Sequence, residues 1–389
     1  MKSRKKNSNS LKRLIIILLT PINIVAALAL IGAFINHFVP PTGSTRLAFL
    51  GLAFPYLLVI NLCFSVLWLF LKYPFCIISL IPILLNISNI DSHYQLRGNT
   101  MPARCLNCVK VMSFNVKLFG LYNSDNRAKQ DEYKRRIIDF FKEEKPDILC
   151  LQEYFYENGH THNFPTKEPV LSALGLDDSK RYYYQYFTDN YKQENFYGMA
   201  IFSRYPIMRT GAVQMPDSSA VNAIFADIRY KNDTVRVYCV HAASIHLDKP
   251  DYSVGRQIME TQFSDPHMNR NVLAMLSKFN KTFQKRRFQA DVLHAHIDSC
   301  RLPVMVCGDF NDTPASYVYY QIAKGLKDSF RESGAGKGFT YHSEAFPSYR
   351  IDYILHSKAY NDYNHTIHTE MTVSDHYPIS TVISLQKKR

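Results

Sequence analysis

Leu14–Ile35 runs for 22 residues without a charge, broken only by Thr20, Pro21 and Asn23. As a helix, that length crosses a hydrocarbon core of about 30 Å. A second run, Leu47–Leu71, is 25 residues long and equally uncharged. Trp68 sits near its end, where interfacial aromatics concentrate. After Lys72-Tyr73-Pro74 comes a shorter third run, Phe75–Ile90, with Pro82 and Asn86 inside it. A cleaved signal peptide would account for the first run, and Ala27-Leu28-Ala29 faintly resembles a cleavage site, but two further runs follow. The expected organisation is a basic arm over 1–13, a helical membrane anchor over 14–92, a linker over 93–106 and a soluble domain over 107–389. The anchor is expected to hold three transmembrane helices, 14–35, 47–71 and 75–90.

The charge distribution supports this division. Of 46 basic and 33 acidic residues, nine and one fall in 1–97, leaving 37 and 32 for the remainder. Most of the net charge of +13 therefore lies in the anchor segment, and the high pI is a topology signal more than a nucleic-acid signal. The arm, with Lys2, Arg4, Lys5, Lys6, Lys12 and Arg13, is expected to stay cytoplasmic. Three spans then place the soluble domain outside the cytoplasm; if the third run does not cross, the domain stays inside.

From Val109 the pattern becomes that of a soluble α/β domain. Val109–Asn115, Asp147–Leu151, Tyr182–Phe187, Gly198–Ser203, Val304–Cys307, Arg350–Leu355 and Ile379–Leu385 read as strands, and Ala223–Tyr230 with Thr234–His241 as a hairpin. Arg127–Glu144 reads as an amphipathic helix, with Tyr133, Ile137, Phe140 and Phe141 on one face. Asp251–Ser299 is helical in pattern, with a break near Asp265-Pro266 and a basic face of Lys278, Lys281, Lys285, Arg286 and Arg287. Thr313 and Pro314 suit the cap and first position of a helix reaching Ala323. Strands interleaved with helices give a two-sheet α/β sandwich flanked by helices.

The strand ends carry the chemistry. They read SFN at 113–115, QE at 152–153, H at 241, GDFND at 308–312, RID at 350–352 and SDH at 374–376. Buried strands that repeatedly stop on acids are costly unless a cation or a phosphate shares the site. Carboxylates with an amide suit a hard, oxygen-preferring ion, Mg²⁺ or Mn²⁺, better than zinc. The cysteines give no competing metal site. Cys105 and Cys108 form a CxxC with no second pair, which leaves a local disulfide or two free thiols, while Cys150, Cys239 and Cys307 sit in apolar runs as small hydrophobes.

GDFN, RIDYIL and SDHYP, in this order, resemble the endonuclease/exonuclease/phosphatase (DNase I-like) superfamily across about residues 107–389, and with the anchor the chain is similar to membrane-anchored bacterial members. The resemblance implies a DNase I-like sandwich and a Mg²⁺-dependent hydrolase acting on a phosphoester, a nucleic acid or a phospholipid headgroup. It implies Glu153 as principal metal ligand, Asn115 on metal-bound water or phosphate, and Asp375 beside the metal. It implies that Asp309 activates the attacking water, that Asn311 positions it, and that His376, oriented by Asp352, binds the scissile phosphate. His241 is implied at the phosphate or the leaving group. Two departures stand out. Repair-type nucleases often have an acid where Lys117 stands, and inositol phosphatases carry a Trp-Cys-Asp-Arg run where this chain has Pro347-Ser348-Tyr349-Arg350-Ile351-Asp352. The alternatives are a tethered binding protein that keeps the fold without the chemistry, or a phosphomonoesterase.

The remaining candidates have ordinary readings. His160 and His162 lie in a polar loop, and His294 and His296 are two apart on a helix, which is not a metal-pair spacing. His246 is expected to line the cleft at most. Tyr182, Tyr183, Tyr184 and Tyr186 are expected to pack on a sheet.

Overall fold

The structure, a computed structural model, describes residues 2–42, 45–102, 105, 107–158, 162–179, 181–191, 194–215, 221–245, 251, 268–343 and 347–385. His160, His246 and the expected break at Asp265-Pro266 lie outside the described residues. The chain forms two compact units, Met1–Ser92 with Thr313–Tyr320, and His93–Asp312 with Gln321–Arg389.

The first unit is a helical bundle. Helix α1 spans Lys2–Ile35, so the basic arm continues the helix. The second apolar run, expected as one span, divides into α2 (Arg46–Leu52) and α3 (Phe54–Leu71), with Pro55 in the first turn of α3. Pro fits there because its missing N–H has no intrahelical partner to lose. The third run is also divided, into α4 (Ile77–Leu85) and α5 (Ile87–His93), across Asn86. Ser10–Ile35 and Phe54–Leu71 are each long and apolar enough to cross a membrane, whereas Tyr73–Leu85 and Ile87–His93 together form a pair bent by 61°.

This bundle is inverted relative to a soluble one. Leu14, Ile17, Leu18, Val25 and Phe70 are exposed, and Asn23, Asn61, Ser79, Asn86 and Asn89 are buried. Trp68 Nε1 donates to Asn23 Oδ1 at 2.8 Å, and Asn23 Nδ2 donates to Ser79 Oγ at 2.6 Å, which joins three helices. Asn86 Nδ2 donates to the Leu30 carbonyl at 3.1 Å and Asn61 Nδ2 to that of Ala26 at 3.1 Å. An apolar exterior over an amide-lined seam is how helices associate in lipid, where apolar contact alone gives little drive.

The second unit has two six-stranded sheets. One has the order β13-β14-β2-β3-β5-β4, from Asn361–Ile367 (β13), Ile379–Ser384 (β14), Cys108–Asn115 (β2), Ile148–Glu157 (β3), Asn195–Ser203 (β5) and Tyr183–Tyr191 (β4). The other has the order β10-β12-β9-β8-β7-β6, from Leu326–Asp328 (β10), Asp352–Ser357 (β12), Val304–Asp309 (β9), Asp233–His241 (β8), Ala223–Tyr230 (β7) and Ile207–Ala212 (β6). Tyr94–Gln95 (β1), inside the expected linker, pairs with Gly336–Lys337 (β11). The facing sides share one apolar layer that includes Val111, Cys150 and Ile201 from the first sheet and Val237, Cys239, Cys307 and Ile354 from the second. The outer side of the first sheet is covered by α6 (Arg127–Glu144) and α7 (Lys167–Leu174), through Phe141, Ile137 and Val170. Helix α8 (Met268–Asp298) reaches the second sheet, where the Tyr238 hydroxyl lies 2.9 Å from His296 Nδ1. This is the expected two-sheet sandwich flanked by helices. Cys105 and Cys108 are joined as a disulfide.

At the centre of each sheet is a parallel pair, β2 with β3 and β8 with β9. Among the described residues all other strand pairs are antiparallel. Parallel neighbours end at the same edge, and an antiparallel neighbour begins there. That rule builds the site.

Candidate active site

Asn115 closes β2 opposite Gln152 of β3, and His241 closes β8 opposite Asp309 of β9. Asp352 opens β12 opposite the same Asp309. His376 precedes β14, whose first residue Ile379 pairs with Ser113 of β2. Six separate stretches of chain thus bring their polar residues to one edge of the sandwich.

Glu153 reaches the site by a different device from the one its sequence suggests. The expected short strand does not stop at Gln152-Glu153; β3 runs on to Glu157. Against β5, Leu151 pairs with Ala200 and Tyr154 with Gly198, so two residues oppose one. Glu153 has a φ of 48°, in the left-handed region. A bulge of this kind re-aims one side chain without ending the strand. Asn311 is also left-handed, with a φ of 54°. Gly308 has a φ of 146°, and a Cβ there would lie 2.0 Å from the Val240 carbonyl oxygen. Only glycine permits that close approach of β9 to β8.

After Val116, which is right-handed, the backbone is left-handed at Lys117, Leu118, Phe119 and Gly120, with φ between 45° and 74°. Such residues cost roughly 1–2 kcal/mol each when they carry a side chain. Phe119, fully buried against Tyr154, is the anchor that offsets this.

The hydrogen bonds converge on Asp309, which is 1% exposed. Its Oδ2 accepts from Asn115 Nδ2 at 3.1 Å and from Asn311 Nδ2 at 3.0 Å, and its Oδ1 accepts from the Asn311 backbone N–H at 2.7 Å. Asn115 Nδ2 also donates to Glu153 Oε1 at 3.0 Å. Burial pushes the Asp309 carboxyl above its usual range, opposed by the facing imidazole of His376 and reinforced by Asp352. His376 Nε2 stands 3.7 Å and His241 Nε2 3.9 Å from Asp309 Oδ2. His241 Nε2 is also 3.7 Å from Glu153 Oε1, and it is buried with no hydrogen-bond partner among the described residues.

His376 is held by Asp352, whose Oδ2 and Oδ1 lie 3.0 and 3.2 Å from Nδ1. Burial alone would depress this imidazole, but Asp352 and then Asp309 lift it to about 10. The two carboxylates thus favour the imidazolium form. Asp352 is fixed in turn, since its backbone N–H donates to Thr340 Oγ1 at 3.0 Å, and the Tyr341 ring lies edge-on to His376 with centroids 5.2 Å apart.

Asp309, Asp352 and His376 have ligand atoms within 4.8 Å of one another, as a metal-binding group would. His376 Nδ1 is already committed to Asp352, which leaves only its Nε2 to meet a ligand. Glu153 fits a cation better. Its carboxylate is 33% exposed, it faces the amide of Asn115, and the orphaned His241 nitrogen lies beside it. A partly solvated carboxylate with an amide and room for water suits a hard divalent ion.

The structure therefore gathers Asn115, Glu153, His241, Asp309, Asn311, Asp352 and His376. Asp375 is engaged differently, because Lys117 Nζ donates to its Oδ2 at 2.9 Å. Burial raises the Asp375 carboxyl, but His376 and Lys117 outweigh that and hold it below the usual range. His162 is remote, with its backbone N–H on Glu157 Oε1. Thr340, Tyr341, Arg286 and Gln289 border the site and carry no motif. Only the basic run around Arg286 was visible in the sequence, where it suits a solvated helix face or a phosphate-rich partner.

Comparison with known proteins then bears on the whole constellation. The pattern of the Endonuclease/Exonuclease/phosphatase family matches residues 112–376, more than half of the chain. The chain belongs to this family. Members of the endonuclease/exonuclease/phosphatase family are typically hydrolases of phosphoester bonds and usually use a divalent metal. Residues 13–93 match a separate family, a domain of unknown function, DUF8431. Among solved structures, the chain is similar to an endonuclease/exonuclease/phosphatase from Beutenbergia cavernae DSM 12333 (15% identity, 72% of each chain covered, TM-score 0.46). It is similar to a family protein from Leptotrichia buccalis C-1013-b (18% identity, 71% of this chain and 99% of that one, TM-score 0.46). It is also similar to the human Nocturnin catalytic domain with bound sulfate anion (17% identity, 71% and 94%, TM-score 0.46). Among curated proteins no relative matches the chain.

Proposed function

We propose that this endonuclease/exonuclease/phosphatase protein is a membrane-anchored, metal-dependent phosphodiesterase, acting on a nucleic acid or a phospholipid headgroup by in-line attack of water. One observation carries the reading: two imidazole nitrogens, of His376 and His241, face the same buried carboxylate oxygen of Asp309 at 3.7 and 3.9 Å. An imidazolium, an imidazole nitrogen and a carboxylate brought together at one strand edge are the groups that bind a phosphate oxygen and activate the water that attacks it.

The roles follow from the contacts. Asp309, fixed by both amides, takes the proton of the attacking water. Asn311 and Asn115 hold the water and a phosphate oxygen without adding charge. His376, kept charged by Asp352, donates to a non-bridging oxygen where negative charge develops. The water oxygen forms the new P–O bond, the P–O bond to the alcohol breaks, and the departing oxygen is protonated from His241 or solvent. Glu153 and Asn115 would hold Mg²⁺, or Mn²⁺ in its place, which supplies neutralisation of phosphoryl charge. Asp375, bound to Lys117, borders this group.

For location, we read the bundle as embedded in the bilayer with its basic arm cytoplasmic. With the bent pair counted as a third crossing, the catalytic domain lies outside the cytoplasm. The Cys105–Cys108 disulfide supports that side, since such bonds persist in oxidising compartments.

The test is hydrolysis by the full-length protein in detergent of plasmid DNA, RNA, sphingomyelin vesicles and an inositol polyphosphate, with Mg²⁺ or chelator, for wild type and His376→Ala. Turnover of a diester that needs both the metal and His376 is expected. Turnover of the inositol phosphate alone would make the protein a monoesterase. Hydrolysis of none would favour the tethered binding protein.

A further inference from the structure

The strained loop that carries Asp309 and Asn311 is gripped from behind by a cation the reaction does not touch. Arg286 lies on α8 between exposed Lys285 and half-buried Arg287, yet its own side chain is only 3% exposed. Its Nε donates to the Ala243 carbonyl at 2.7 Å, and its Nη1 stands 3.8 Å from Asp312 Oδ2. Three residues further along the helix, Gln289 Oε1 accepts from the Ala243 backbone N–H at 2.9 Å. Side chains of one helix thus hold both backbone groups of Ala243. Ala242, just before it, donates its N–H to the Asp309 carbonyl at 2.9 Å and accepts from Asn311 Nδ2 at 3.0 Å. A continuous set of contacts runs from α8 through Ala243 and Ala242 to the Asn311 amide, and from Arg286 directly to Asp312.

Two physical facts give this arrangement a purpose. Asn311 at a φ of 54° is a conformation that persists where neighbours over-determine it. A buried arginine is also expensive to desolvate, and burial indeed pushes its guanidinium below the usual range against the pull of Asp312 and Asp309. A planar head with several donors in a fixed fork holds a carbonyl and a carboxylate in one set geometry, which the compact, rotatable ammonium of lysine fixes less well.

We propose that Arg286 is a positioning residue for the phosphoester reaction, locking the Ala242–Ala243 segment and through it the Asn311 amide, with Gln289 as a second strut. The inference rests on the catalytic reading of the site. Its test has one readout that does not depend on turnover. In the full-length protein, Arg286→Met and Arg286→Lys are compared with wild type, alone and with Asn311→Ala. Hydrogen exchange is followed over residues 241–243 and 308–312, with 223–230 as the control strand, beside kcat and KM. Arg286→Met should speed exchange in both site segments by about tenfold or more and leave the control unchanged. It should lower kcat about tenfold with KM within about twofold, and by less than about twofold once Asn311 is already alanine. Arg286→Lys should fall between, and it carries the test if the methionine variant does not fold. Unchanged exchange over 308–312, or the same loss of kcat in both backgrounds, overturns the proposal. Faster exchange in a protein that turns over no phosphoester keeps the positioning device and rejects the phosphodiesterase reading instead.

Discussion

Asp352→Asn isolates the charge that the site depends on most. Both partners of the pair are buried, His376 at 6% and Asp352 at 3% exposure, with contacts of 3.0 and 3.2 Å. The imidazole rises from 6.5 to about 10 against a desolvation that works the other way. Each pKa unit corresponds to about 1.4 kcal/mol, so the raised value represents several kcal/mol, in line with the roughly 3–5 kcal/mol lost when a buried pair is broken. Because the folded value lies above the unfolded one, this stability is fully present below pH 6.5 and is lost as pH rises through about 10. The assay is the NMR titration of His376 in the metal-free protein, with denaturation midpoints taken across the same pH range. In wild type the imidazole should titrate near 10 and stability should decline between pH 6.5 and 10. In Asp352→Asn the midpoint should fall well below 10, the decline should flatten, and turnover should drop about a hundredfold or more. A wild-type His376 that titrates at an ordinary histidine value, or stability flat across that window, would refute the account of a fixed imidazolium.

Three further outcomes follow from particular contacts. Glu153→Gln should raise the Mg²⁺ concentration for half-maximal activity at least about tenfold while the melting temperature holds, since it removes a ligand and keeps the shape. Gly308→Ala should cost more than about 3 kcal/mol in denaturant unfolding, because its Cβ would meet the Val240 carbonyl at 2.0 Å. Asn23→Leu removes the bonds to Trp68 and Ser79 and should weaken the helical bundle by about 1 kcal/mol, read as resistance to unfolding in SDS.

Asn115, His241 and Asp309 were legible because each ends a strand that is apolar in sequence, and a strand's period and terminus are local properties. Glu153 was legible as a residue but not in its manner of delivery. Its bulge exists only against β5, in a register that depends on residues some fifty positions away. Arg286 was legible only as one member of a basic face, since a basic run on a helix looks the same whether one member faces solvent or a carboxylate. Lys117 looked like a missing acid, and only the fold brought it to Asp375, 258 residues away. The third apolar run likewise reads as continuous until Asn86 turns its amide to the Leu30 and Pro82 carbonyls. By itself the sequence determined an apolar helical segment, an α/β domain and the inventory of groups at its strand ends, because hydropathy and strand period act over a few residues. The tertiary structure alone decided which of those groups meet, which charge each one carries and what holds them still, because burial and pairing between distant residues set all three.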